Sequence, residues 1–430
     1  MFKKILFTAL CGLAALQGQA QEEKAGFDNW VKNKEGAKIE PLMTAQFWSV
    51  YSNKEEVYQA SDKAYHPVED RVNFHIRRAR FGFRAQPVEN LRFTAIAAFD
   101  GLGRDALTGT LGSSNNTVPT TMGIMEATME WRMLPKRESL FLTAGLFRPQ
   151  FSRESITSAW VLPSMEKSFS QNYVRRHISG PGLGRNFGAN VGGILRPKDA
   201  KAGVYYNVGV FTPQYTGTGG LTVGKAFSPL WVGRLVFELG DTESAKYKIS
   251  YDYNFFSKRK GLSIGINGAT QGATDLFASN SAWGVDALFN WNGLNLDVEH
   301  DWLQRTGITG VKASGGRTGQ LRGSMNLVAA KTYFLEPTAA FMFYRGEMTP
   351  EGQANANALK LSSGKEDALD IGINWHLQPK RLKVLLHYTM RWGDPGAAGN
   401  GSQVNAFFSE NTIGPVHRGN WLGLGLNILL

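Results

Sequence analysis

Apolar and polar residues take turns along most of this chain. Leu91, Phe93, Ala95, Ala97 and Phe99 are separated by Arg92, Thr94, Ile96, Ala98 and Asp100. Leu294, Leu296, Val298, His300 and Trp302 alternate with Asn295, Asp297, Glu299 and Asp301, and Met125, Ala127, Met129, Trp131 and Met133 with Glu126, Thr128, Glu130 and Arg132. A period of two belongs to strands whose two faces meet different surroundings. Sixteen such segments can be drawn: 42–52, 71–85, 91–100, 122–133, 140–148, 187–196, 202–212, 229–239, 262–270, 282–291, 294–304, 320–334, 337–346, 367–377, 381–392 and 417–430. Each runs for about ten residues, the length that crosses an outer membrane when tilted.

The connectors alternate short and long. Short ones fall at 86–90, 134–139, 196–201, 291–294, 334–338 and 377–381. Long ones fall near 53–70, 101–121, 149–186, 213–228, 271–281, 305–319, 347–366 and 393–416. Outer-membrane barrels have short periplasmic turns and longer outer loops. The pattern predicts an all-β fold: a transmembrane antiparallel β-barrel of sixteen strands, with both ends on the periplasmic side. Tyr247, Ile249, Tyr251, Tyr253 and Phe255 alternate too, but a seventeenth strand there would invert every later loop. Residues 240–261 are therefore expected to form an enlarged periplasmic turn. Trp131, Trp283, Trp291, Trp302, Trp375 and Trp392 sit near segment ends, where an aromatic girdle would place them.

The first twenty residues have a different pattern. Lys3 and Lys4 precede an apolar run from Ile5 to Leu16, and Gly18-Gln19-Ala20 supplies a small-x-small cleavage pattern. Residues 1–20 are expected to be a cleaved signal peptide. Residues 21–41 would form a short periplasmic segment, and 42–430 the barrel. The only cysteine, Cys11, lies in the part expected to be removed. Without Lys3 and Lys4 the formal charge of +11 becomes +9. That basic balance suggests anionic partners, and export argues against nucleic acid.

The stretch FHIRRARFGFRA, from Phe74 to Ala85, sharpens the charge argument. Ala79, Phe81 and Phe83 share one face, and Arg78, Arg80 and Arg84 the other. In a barrel the first set meets lipid and the second a watery lumen. An arginine on the lipid face would cost roughly 2–4 kcal/mol at midplane. Phe74 and Ile76 share parity with Arg78, so a bulge near Arg77, or a strand start above the membrane, is expected. Arg92 and Arg132 have the inward parity of their strands, as do Arg234, Arg381, Lys383 and Arg391.

Several stretches resemble the phosphate-selective porin O and P family. FHIRRARFGFRA is similar to that family's early arginine-rich strand. AGLFRPQFSRESITS (144–158) and PSMEKSFS (163–170) resemble its passage from strand into constriction loop, with Arg148 as the basic residue before Pro-x-Phe-Ser. GRNFGANVGG (184–193) resembles a strand start, with Asn186 in place of Asp, and LWVGRLVFEL (230–239) resembles the Arg-centred strand that follows. The last residue is Leu430, where many outer-membrane barrels end in Phe. The resemblance implies a homotrimeric, sixteen-stranded channel in a Gram-negative outer membrane. It also implies that 149–186 folds inward as a constriction, with Arg175 and Arg176 in its eyelet; an outer lid or a trimer contact is the alternative for that loop.

The expected function is passive diffusion of small anions, with phosphate as a candidate, past Arg78, Arg80, Arg84, Arg92, Arg132, Arg148, Arg175, Arg176 and Arg234. A column of guanidiniums in a narrow pore concentrates anions, and many weak sites let an ion be handed on. Against this stands a plainer reading, in which lumen charges bridge to Glu126, Glu130, Asp297, Glu299 or Asp301 and only solvate the wall. A weakly selective barrel, or a closed adhesin-like one, would share the fold. The seven histidines show no metal spacing, and GPGLGRNFG lacks the Lys-Ser/Thr of a phosphate loop, so neither cofactor nor enzyme activity is expected. Outer-membrane lipid and lipopolysaccharide are the expected surroundings.

Overall fold

A computed structural model describes residues 31–32, 38–108, 122–180, 182, 184–197, 201–213, 226–308, 310–330 and 333–430. The expected signal peptide lies outside them. The barrel strands are β1 (Lys38–Asn53), β2 (Arg71–Val88), β3 (Leu91–Leu102), β4 (Gly123–Arg132), β5 (Phe141–Phe147), β6 (Asn186–Leu195), β7 (Ala202–Phe211) and β8 (Leu230–Gly240). They continue with β9 (Gly261–Gln271), β10 (Ser279–Trp291), β11 (Leu294–Thr306), β12 (Ser314–Met325), β13 (Tyr333–Arg345), β14 (Lys365–Gln378), β15 (Leu382–Asp394) and β16 (Asn420–Leu429). Every neighbour is antiparallel, and β16 pairs back onto β1 from Thr44↔Leu429 to Asn53↔Asn420. The sheet has no free edge, which lets the backbone be satisfied inside a bilayer.

All sixteen expected segments are strands, with shifts at the ends. β1 begins at Lys38, inside the segment expected as an N-terminal tail. β12 begins at Ser314, not near 320, so the outer loop before it is shorter than expected. A turn was expected at 334–338 around Pro337; instead Pro337 lies within β13 opposite Ile373. Its neighbour Glu336 holds that stretch in the wall, accepting hydrogen bonds from Asn254, Ser324, Asn374 and His376.

The lipid face carries the expected grease. Phe81, Phe83, Trp131, Trp283, Trp291, Trp375 and Trp392 are all exposed, and Trp302 stacks on Trp283 at 3.6 Å. The parity break in β2 is a bulge at Arg77: Gln46 pairs with Arg78, but Phe47 pairs with Ile76. The extra residue turns both Arg77 and Arg78 inward and leaves Phe74 outward. A second bulge skips Met125 between Glu126 and Ile124, so Met125 leaves the face of Trp131 and is buried.

The core of this barrel is its interior. The connector from β5 to β6 carries α1 (Arg153–Ile156) and α2 (Ser170–Ser179), and both are almost wholly buried. Phe169, Tyr173, Val174 and Ile178 pack on Val232, Ala269, Ala282, Ala340 and Ala368, small inward residues that make room for a helix. Each fully buried Phe or Val is worth about 1.5–3 kcal/mol. The turn at 240–261 also enters the barrel. Tyr247 stacks on Phe141 at 4.7 Å and on Tyr205 at 5.2 Å, and Tyr251 and Tyr253 are buried.

Candidate functional site

Gly145, near the end of β5, has φ 123, a conformation that favours glycine, and a Cβ there would run into the carbonyl oxygen of Ala127. Two residues after the strand, the chain enters the lumen. Ser152 caps α1 and donates from its Oγ to Glu299 at 2.7 Å, while its amide donates to Asn267 at 2.8 Å. The amide of Glu154 reaches the second oxygen of Glu299 at 2.8 Å. Arg153 donates to Asp286 at 3.0 Å, and Arg322 donates to Glu154 at 3.1 Å. These bonds tie the loop tip to β9–β12. Further along, Glu166 accepts from Arg77 at 2.6 Å and from Arg78, tying the loop to β2 on another side.

What remains open is an off-centre space of about 470 Å³ along β1–β5. Arg80, Arg84, Arg92 and Arg148 line it, with Lys246 and Lys248 from the periplasmic turn and Glu126 and Glu130 as the acids. Leu42, Ile96, Met125, Ile156, Trp160 and Ile249 supply apolar wall. A second space of about 160 Å³ shares Arg92, Glu130, Lys246 and Tyr247 with the first and adds Arg132, Glu89 and Glu138. The two together lead toward the periplasmic turns.

The nine expected pore arginines divide on this geometry. Arg80, Arg84, Arg92 and Arg148 face the larger space, and Arg132 the smaller one. Arg78 is buried behind it, held by Gln46 and Glu166. Arg175, on α2, is buried and donates to the Ser155 carbonyl at 2.7 Å, and Arg176 on the same helix is half-buried. Arg234 lies under both inward loops, bonded to Asp286 at 2.5 Å and set 5.2 Å over the Tyr251 ring. Arg78, Arg175 and Arg234 thus act as fasteners away from the open space.

Pairing divides the lining arginines again. Arg80 bonds Asp100 at 2.8 Å, Arg84 bonds Glu40 at 2.8 Å, Arg92 bonds Glu130, and Arg132 bonds Glu89 at 2.8 Å. Arg148 differs. Its Nη1 donates to the carbonyls of Ser155, Ile156 and Thr157 at 3.0, 3.2 and 3.3 Å, and the nearest carboxylate, Glu126, is 4.0 Å from its Nε. Glu126 is itself bonded to Arg185 at 3.0 Å. Burial pushes the Arg148 guanidinium well below its ordinary range, and Arg185 and Arg175 add to that. It stays charged, since guanidinium deprotonation lies far above neutrality.

Lys246 and Lys248 were missed because 240–261 was read as lying outside the barrel. Its alternating tyrosines are the signal that could have found them. They form neither a strand nor a lipid face; they pack inside against Phe141 and Tyr205.

No curated protein matches this sequence. Among solved structures, the anion-selective porin from Comamonas acidovorans superposes with a TM-score of 0.55 at 11% identity, covering 92% of this chain and 100% of that one. OmpF of Salmonella typhi, in complex with daunomycin, gives 0.54 at 8% identity, covering 93% and 99%. The outer-membrane channel DcaP of Acinetobacter baumannii gives 0.52 at 13%, covering 93% and 99%. At such identities the likeness establishes the fold. Residues 50–240, from the end of β1 through β8, match the family described as phosphate-selective porin O and P. The chain thus has the closed sixteen-stranded barrel fold of these porins, and its residues 50–240 are similar to the phosphate-selective porin O and P family.

Proposed function

We propose that the lumen passes small anions, phosphate among them, by passive diffusion, and that the loop at 149–186 narrows it. The observation that carries this reading is Arg148: a permanent cation at the edge of the open space, hydrogen-bonded to carbonyl oxygens, its nearest carboxylate, Glu126, 4.0 Å away and shared with Arg185. At about 5 Å and an effective dielectric of about 20, an unpaired guanidinium attracts a monovalent anion by roughly 3 kcal/mol. A carboxylate roughly 3 Å behind it would cut that to about 1 kcal/mol. Glu126 serves both Arg148 and Arg185, so two guanidiniums share one carboxylate there, whereas Arg80, Arg84 and Arg92 each hold a carboxylate within hydrogen-bond reach and form weaker relay positions. Weak successive sites suit conduction better than one deep well.

A weakly selective porin is the second reading, favoured by those same pairs: Arg80–Asp100, Arg84–Glu40 and Arg92–Glu130 leave little net charge at each. Export by a cleaved signal peptide and assembly as a homotrimer follow from the sequence and the family resemblance. The test is the zero-current potential of the purified protein in a potassium chloride gradient, with added phosphate as a blocker of chloride current. Anion preference that falls in Arg148→Ala supports the first reading. A near-zero potential unaffected by that substitution supports the second, and cation preference overturns the first.

A further inference from the structure

The outer surface of the barrel carries a second cationic feature, unrelated to the lumen. Arg317 on β12 is the register partner of Arg345 on β13, and Arg345 is the partner of Lys365 on β14. All three lie at the ends of their strands nearest the outer loops, with Thr318, Tyr344 and Glu366 turned inward and buried beside them. Arg317, Arg345 and Lys365 therefore face outward in one row across three neighbouring strands. Directly opposed residues on one face of a sheet lie about 4.5–5.5 Å apart at Cβ, and like charges so placed repel.

The row's own acids do not fill it. Asp367 accepts from Arg345 Nη2 at 2.7 Å. Asp394, the register partner of Lys365, accepts from the Gly396 amide at 2.9 Å. The other Arg345 nitrogen donates to the carbonyls of Tyr344 and Glu366. Among the described residues, the side chains of Arg317 and Lys365 have no hydrogen-bond or ion-pair partner. Trp302 sits beside Arg317 as its register partner, and Phe343 and Trp392 lie immediately toward the membrane, with exposed Leu321, Phe341 and Ile371 below them. Aromatic residues at that level mark the headgroup boundary, and the aliphatic band beneath meets acyl chains.

We propose that Arg317, Arg345 and Lys365 form a binding site for the phosphate of a phosphorylated glycolipid of the outer leaflet, whose acyl chains lie on the apolar wall below. Charge complementarity selects the phosphate, and the continuous apolar surface beneath it selects a lipid over a free ion. Guanidiniums offer paired donors to phosphate oxygens, and a bridging anion relieves the repulsion along the row. The site does not depend on pore selectivity.

The test is native mass spectrometry of the full-length protein, purified in detergent and stripped of lipid, then titrated with lipid A, with its dephosphorylated form and with inorganic phosphate. Wild-type protein should retain lipid A in preference to both others. Arg317→Gln and Lys365→Gln, which break no bond within the protein, should each weaken retention about fivefold and together by about the product. Lys54→Gln, elsewhere on the outer side, should leave it unchanged. Equal retention of the phosphorylated and dephosphorylated lipids, or no loss in the double variant, would overturn the proposal. So would protection of Lys365 from amine-reactive reagent in lipid-free oligomers, which would make the row a contact between copies of the chain.

Discussion

Arg153, at the tip of the loop that enters from outside, clasps Glu243, from the turn that enters from the periplasmic side, through hydrogen bonds of 2.6 and 3.1 Å. Both side chains are almost fully buried, and Arg153 also lies 4.9 Å over the Tyr251 ring. Two segments that begin at opposite mouths are thereby joined inside the barrel. The remaining passage is confined to the β1–β5 side.

Breaking that clasp should widen the passage without opening the barrel. Removing one partner of a buried ion pair costs up to about 3–5 kcal/mol when the other charge is stranded; Arg153 keeps Asp286 at 3.0 Å, so the cost here falls at or below the low end of that range. In Glu243→Gln the loops should part more often, raising single-channel conductance and current noise. Replacing both partners, as Arg153→Met with Glu243→Leu, should restore a quiet channel. Planar-bilayer recording checks both, with heat-modifiable gel mobility as the control for an intact barrel.

Glu166 gives a pH dependence. Burial raises its carboxyl, but Arg77 and Arg78 pull it down further, to about 2. A carboxylate depressed in the folded state contributes stability that is present above its unfolded value of about 4.3 and lost as pH falls through the folded one. Loop docking should therefore hold from neutrality to about pH 4 and fail only as pH approaches 2. Conductance recorded against pH should stay flat and then rise at that acid end. Glu166→Gln should show the open level at neutral pH, without the acid rise.

Gly145→Ala should damage folding out of proportion to its size. The backbone is in a region that costs a non-glycine residue about 1–3 kcal/mol, and the new methyl meets the Ala127 carbonyl. A loss of folded barrel in outer-membrane extracts, with the same substitution at Gly268 tolerated because nothing lies within reach there, is the expected result.

Asp301 predicts the opposite sign. It is fully buried on the inner wall, and neither carboxylate oxygen has a hydrogen-bond partner among the described residues. A buried carboxyl without a donor, set beside Glu299, is costly, so Asp301→Asn, which brings an amide donor to that place, should stabilise the barrel by about 1 kcal/mol. The temperature at which the folded band disappears on a gel measures it.

The barrel was legible in the chain because its cause is local and periodic. Lipid on one side and water on the other impose a choice at every second residue, so strand number and loop rhythm could be read from the alternation along the chain, and the parity break of Phe74 and Arg78 against Phe81 already pointed to a bulge near Arg77 or a strand start above the membrane. The turn at 240–261 shows the limit of that reading: tyrosines alternating against Phe141 and Tyr205 look the same in sequence as tyrosines alternating against lipid. Met125 and Pro337 deceived for a related reason, since a bulge and an anchored Glu336 override the local pattern.

Whether an arginine is bare or neutralised depends on chain partners brought in from afar. Arg78 meets Glu166 from 88 residues away, and Arg80 meets Asp100 across a strand pair. Charge in the sequence therefore determined that the lumen would be lined with cations. Only closure of the cylinder and entry of two loops decided which of them stand beside an open path, because Coulomb interaction follows distance in space and takes no account of distance along the chain.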